Sequence, residues 1–236
     1  HRPARMRGRR LKTARPEPAR FRRFFFSGPG GASLPVSTHD TRKVAMRLTL
    51  LTGPAAEPLE LDDLKVHLRL DGDDEDQYLA SLITTSRLHV EAAMGLALIT
   101  QRWLWQADRW PPGGCVELPI RPVQAIEQVS VMTAGASEDV IGPGDYEADI
   151  AGGVARLVAA SGSLPQPGVR LGGARITFRA GFGDGAGDVP DQIRHALKLL
   201  AAHWYEVRDP VHIGSHTARV PDIVSDLLAP YKVRRL

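Results

Sequence analysis

The sequence predicts an α+β fold, a small helical bundle interrupted by an antiparallel β module and followed by a C-terminal docking tail. Three observations lead there. Helical periodicity fills residues of about 61–71 and 74–97 and returns at about 190–208, and between them, over about 99–181, the chain switches to short alternating runs bounded by Gly and Pro. None of the three helices buries its apolar face alone, so helices from both ends of the sequence pack together and the β module is an insertion between them. At 236 residues and 43% hydrophobic, the chain can bury one sizeable core or two small ones.

Residues 1–45 stand apart. Residues 1–47 carry 13 Lys and Arg against only Glu17 and Asp40, so the net charge of +3 hides a basic arm and an acidic remainder of −8 over residues 48–236. The chain has no Asn, and Arg outnumbers Lys 25 to 5, the usage of a GC-rich coding sequence. The arm lacks periodicity, begins with His, and ends where Met46 opens the ordered pattern. It reads as disordered or as an extension outside the natural product, the alternative being an arm that touches nucleic acid.

Leu61, Leu64 and Leu68 mark the first helix, with Asp62 and Asp63 in its first turn and Gly72 as its stop. Leu79, Leu82, Ile83, Val90, Met94, Ala97 and Leu98 share a face of the second helix, and Asp73 to Asp76 crowd its start. About six strands follow: residues 101–108, 115–119, 125–132, 146–149, 154–158 and 175–180, at the spacing of a small sandwich or barrel. A Gly-rich loop, 181–187, then reads as a flexible turn before Pro190. Ile193, Ala196, Leu197, Leu200, Ala201 and Trp204 make the third helix the clearest amphipathic one.

After a polar loop with His212 and His216, residues 220–236 form a short apolar helix stopped by Pro230 and closed by basic residues. No partner face is evident for it in the parent domain. Ile223, Leu227 and Leu228 beside Tyr231, Lys232, Arg234 and Arg235 match a helix-in-groove docking element, the alternative being that the segment folds back on its own domain. The expected organisation is an arm 1–45, a helical part 46–98, a β module 99–182, a second helical part 183–213 and a docking tail 214–236.

Sites of chemistry do not emerge. Asp71-Gly-Asp-Asp-Glu-Asp has Asp76 and Leu82 where a calcium loop needs Gly and a bidentate Glu. Gly181-Phe-Gly183 precedes its helix by too many residues to hold a pyrophosphate, and no P-loop occurs. His212 and His216 sit among Pro210, Gly214 and Ser215, which deny them a shared helical face. His195 and His203 read as helix-surface residues, no Ser or Cys nucleophile is paired with a base, and Trp103, Trp105, Trp110 and Trp204 read as core. Cys115 is alone, so neither an internal disulfide nor a thiolate metal site is expected. No apolar run approaches the roughly 18–20 residues of a membrane span. The sequence therefore predicts no enzyme, no cofactor and no metal.

Several runs occur together and in order: Pro58-Leu-Glu-Leu-Asp-Asp-Leu-Lys-Val-His-Leu-Arg-Leu-Asp, His89-Val-Glu-Ala, Ala97-Leu-Ile-Thr-Gln-Arg-Trp, Leu118-Pro-Ile-Arg-Pro-Val, Phe178-Arg-Ala-Gly-Phe-Gly-Asp, Val189-Pro, Ala201-Ala-His-Trp-Tyr-Glu and Leu228-Ala-Pro-Tyr-Lys. Across residues 48–232 they resemble the phage head–tail connector (adaptor) family, in particular its branch with a β insertion found in prophages and gene transfer agents. The resemblance implies a homo-oligomeric ring, usually twelvefold, at the particle neck. The ring sits beneath the portal protein and above a stopper or tail-terminator protein, its subunits made in the bacterial cytoplasm.

The helical part would form the ring, and DNA would pass through the channel without sequence-specific binding, which an acidic lining favours. Docking onto the portal falls to residues 220–236, with Ile223, Leu227, Leu228, Pro230, Tyr231, Lys232, Arg234 and Arg235 as the contacts. The alternative function is DNA binding through the basic arm, which predicts affinity that falls steeply with salt and disappears without residues 1–45.

Overall fold

A computed structural model describes residues 45–151, 153–207 and 221–232. The basic arm up to residue 44, the loop with His212 and His216, and Arg234 and Arg235 lie outside the described residues.

The helices form where periodicity places them, with ends set by backbone geometry. Helix α1, Leu61–Leu68, stops at Arg69, which adopts the left-handed conformation at φ 56°, three residues before Gly72. Helix α2, Asp76–Met94, closes on left-handed Gly95 at φ 62°. Ala97 and Leu98, expected on its face, are instead fully buried in the segment beyond it. Lys65 of α1 reaches Asp73 at 2.7 Å and Asp76 at 2.5 Å, so the acidic start of α2 is tied to the preceding helix. Helix α3, Asp191–Glu206, follows Pro190 and buries Ile193, Ala196, Leu197, Leu200 and Ala201. It packs on α1 and α2, and Tyr205 donates a hydrogen bond to Glu75.

Among the described residues, eight strands make two antiparallel sheets, two strands more than expected. Strands β1 (Met46–Thr52), β2 (Gln101–Ala107), β4 (Val123–Met132), β5 (Glu138–Ile141) and β8 (Ala174–Ala180) form one sheet in the order β1-β2-β8-β4-β5. Strands β3 (Val116–Glu117), β6 (Tyr146–Asp149) and β7 (Arg156–Ala159) form the other, with β7 central. Residues 46–52, expected with the helical part, are thus the edge strand β1, held by pairing Leu48 with Trp105 and Leu50 with Trp103.

Strand β8 alternates without exception. Ala174, Ile176, Phe178 and Ala180 are buried, while Arg175, Thr177 and Arg179 face the other way. In register with them, Trp105 and Val129 flank Ile176, and Trp103 and Ile126 flank Phe178. Val116, Leu118 and Leu157 join the same apolar cluster from the smaller sheet, as does Trp110, stacked 6.1 Å from Trp105.

The Gly181 segment is not the flexible turn the sequence suggests. Gly181 sits at φ +146°, and a Cβ there would lie 2.6 Å from the Thr100 nitrogen and 2.7 Å from the Ile99 oxygen. The strand leaving the sheet crosses directly over the strand entering it, and three backbone bonds sew the crossing: Gly181 N to Pro122 O, Phe182 N to Leu98 O and Thr100 N to Gly183 O. Only glycine allows backbones this close.

Beside this crossing lies a polar joint. Arg87 of α2 is almost buried and forks onto Glu57 at 2.7 and 3.2 Å, while its Nη1 donates to Glu91 at 3.0 Å. The other Glu91 oxygen accepts from the Leu98 amide and from Gln101 of β2. Burial disfavours the Arg87 charge, yet the two carboxylates more than offset it and raise its pKa. One network therefore ties the segment before α1, the middle of α2 and the first residue of β2.

Candidate interaction surfaces

Two surfaces merit description, the C-terminal segment and the outer face of the larger sheet. Helix α4, Asp222–Leu228, begins after Pro221 and runs into a 3-10 turn over Ala229–Tyr231. Contrary to the sequence expectation, it has a partner face: α4 lies on α3, and Val224 and Leu228 belong to the helical core, only 1% and 6% exposed. Leu227 and Tyr231 pack against that core as partly buried residues. Ile223 points outward, 55% exposed, and Pro230 and Lys232 are also exposed. The tail residues named from sequence are therefore split between an anchoring set and an outward set.

Arg121 fixes the end of the segment. Its Nη2 donates to the Tyr231 carbonyl at 3.1 Å and to the Met94 carbonyl, at the end of α2, at 2.9 Å. Burial lowers the Arg121 pKa below its ordinary value. Its backbone is held too, the amide on Gly95 O and the carbonyl on the Ala97 amide. The Tyr231 ring meets Phe182 edge-on at 6.4 Å. The sequence marks Arg121 only as part of the Leu118-Pro-Ile-Arg-Pro-Val run and gives it no role, because that role depends on partners 27 and 110 residues away.

The outer face of the larger sheet is the second surface. Thr49, Leu104, Thr177 and Gln128 form a neutral row across it. Arg47, Gln106 and Arg175 lie on one side of that row and Arg102 and Arg179 on the other. Glu127 bridges Arg102 at 2.5 Å and Arg179 at 3.3 Å. Among the described residues, no group of three or more His, Cys, Asp or Glu side chains is placed to hold a metal. No described helix is long and apolar enough to cross a membrane.

Comparison with known proteins gives this arrangement a context. Residues 58–139, from just before α1 into β5, match the family of phage gp6-like head-tail connector proteins. Solved structures extend the likeness well beyond this segment. A chain from the virion of a native gene transfer agent particle is 25% identical with a TM-score of 0.67, covering 80% of this chain and 96% of that one.

A chain from the neck of an empty gene transfer agent particle, computed with C6 symmetry, matches equally, at 25% identity, TM-score 0.67, and 80% and 97% coverage. One from the neck of a native particle, computed with C12 symmetry, is 26% identical with a TM-score of 0.62 over 80% and 97%. No curated protein matches the sequence. The solved chains that it resembles come from gene transfer agent particles, two of them from the neck.

Proposed function

We propose that this protein is a head–tail connector, a structural ring subunit at the neck of a phage-like particle that joins the portal to the tail and lines the channel through which DNA passes. The likeness to neck chains over almost their whole length supports this reading, and the C12 symmetry of one of those necks favours a twelvefold ring. The net charge of −8 over residues 48–236 suits a channel, because like charge keeps a duplex from adhering to the wall.

In this reading the C-terminal segment docks on the portal. Leu227, Leu228 and Tyr231 hold it to the body, and Ile223, Pro230 and Lys232, continued by Arg234 and Arg235, meet the partner. A ring subunit needs no catalytic group, cofactor or metal.

The test is co-expression with the portal protein of the same gene cluster, followed by affinity capture and electron microscopy. Closed rings bound to the portal are expected. Ile223→Asp combined with Lys232→Glu should abolish capture while the fold persists, because neither side chain is buried. Capture unchanged by this pair moves the portal contact elsewhere. A chain that remains monomeric with and without the portal overturns the ring.

A further inference from the structure

A cyclic ring is built from a heterologous interface, so each copy must present two different and complementary surfaces. The outer face of the larger sheet has the composition of one of them. Its neutral row of Thr49, Leu104, Thr177 and Gln128 is bordered by Arg47, Arg102, Arg175 and Arg179, four guanidinium groups on a fold whose charge is otherwise acidic. Glu127 engages Arg102 and Arg179. Arg47 and Arg175 have no carboxylate partner among the described residues, and Glu138, on the far edge strand, is turned to Ser130 at 2.6 Å.

At the Arg47 end, a recess of about 230 Å³ opens between Met46, Arg47, Gln106, Asp108 and Leu171, with the Asp108 carboxylate taken up by the Gly172 amide. Leu171 is 80% exposed, the most exposed large hydrophobic of the described residues. A neutral centre, arginines around it and an exposed leucine at its rim describe a protein-binding face. A phosphate backbone would leave the leucine without a partner.

The complementary charge is present on the same chain. Asp71 and Asp74, in the turn between α1 and α2, are exposed at this corner of the helical part. We propose that the arginine face of one copy meets this acidic helical corner of the next copy around the ring. This inference rests on the ring reading above and names its contact. Charges of opposite sign on the two halves of the interface set the rotation between copies and disfavour face-to-face pairing of like surfaces.

The experiment uses the full chain, with ring formation read by mass photometry and electron microscopy at 50 and 500 mM salt, alone and with co-expressed portal. Rings should be fewer at the higher salt. Arg47→Glu with Arg175→Glu, a pair that spares the Glu127 bridge, should lower the ring fraction at least about tenfold. Adding Asp71→Lys and Asp74→Lys to the same chain should restore much of it.

Leu171→Lys, a change at an exposed position, should also weaken the ring, and keeps the test sound if the charge-reversed chain folds poorly. Rings formed by R47E/R175E and by L171K as readily as by the unaltered chain overturn the interface while leaving the ring intact. Loss of duplex DNA retention with rings unchanged would assign the face to nucleic acid and overturn it too. An unaltered chain that never forms rings removes the ring reading and the interface together.

Discussion

The guanidinium of Arg121 donates to the carbonyl of Tyr231 across 110 residues of sequence, at 3.1 Å, while the same nitrogen holds the Met94 carbonyl at the end of α2. One loop side chain thus ties the C-terminal segment to the second helix. Hydrogen bonds from a charged group contribute about 1.5–3 kcal/mol. Arg121→Ala should lower stability by roughly that amount. In amide exchange, residues 221–232 should lose protection before the rest of the helical core does. Uniform loss of protection would show that the arginine supports the body and not the segment.

The core role of α4 makes a contrasting pair. Leu228→Ala removes a buried side chain and should cost about 2–5 kcal/mol by urea denaturation, whereas Ile223→Ser, at an exposed site on the same helix, should change stability by under about 0.5 kcal/mol. Equal effects at the two sites would mean that α4 does not pack on α3.

Glycine at 181 is required by space as well as by conformation. Gly181→Ala should destabilise by on the order of 3 kcal/mol, since its new methyl would collide with backbone. Gly113, at φ +86°, has open space where a Cβ would go, so Gly113→Ala should cost only the conformational part, about 1–2 kcal/mol. Thermal melting of the two variants separates the contributions.

Removing Arg87 leaves Glu57 and Glu91 without their counter-charge, although each keeps other hydrogen-bond donors. Arg87→Ala should cost about 3–5 kcal/mol, and Arg87→Met combined with Glu57→Gln and Glu91→Gln should recover part of that loss. A triple variant no better than Arg87→Ala would mean that lost packing, not unpaired charge, sets the cost.

Asp73 adds a small acid-sensitive contribution: it is exposed, but the hydrogen bond it accepts from Lys65 holds its carboxyl below the ordinary value of 3.8. A carboxyl depressed in the folded state stabilises above its unfolded pKa, and that stabilisation is lost as pH falls through the folded pKa. Urea midpoints should therefore fall below about pH 4. Asp73→Asn should flatten that limb, and an unchanged slope would place the acid response on other carboxylates.

The elements legible in the sequence are those whose pattern is local. Strand β8 shows its alternation in seven residues, and α3 shows its stripe from Ile193 to Trp204. Strands β1 and β5 were illegible for opposite reasons. Met46–Thr52 is apolar without clean alternation because it is an exposed edge, and Glu138–Ile141 is half acidic. Both are strands because β2 and β4 offer them backbone partners. The end of α2 was misplaced because Ala97 and Leu98 prolong the helical period past Gly95, where the backbone turns. The apolar helix of the tail is legible in its local pattern, but its seat on α3 depends on a surface that no periodicity describes.

Interrupting the helical core with the β module has a consequence for synthesis. The apolar stripe of α2 is complete at residue 94, and its main partner α3 starts only at Asp191. At about 5–20 residues per second, the stripe waits roughly 5–20 s on the ribosome before it can be covered. Nascent chains halted near residue 150 should be cut readily within α2, and those released with α3 complete should not.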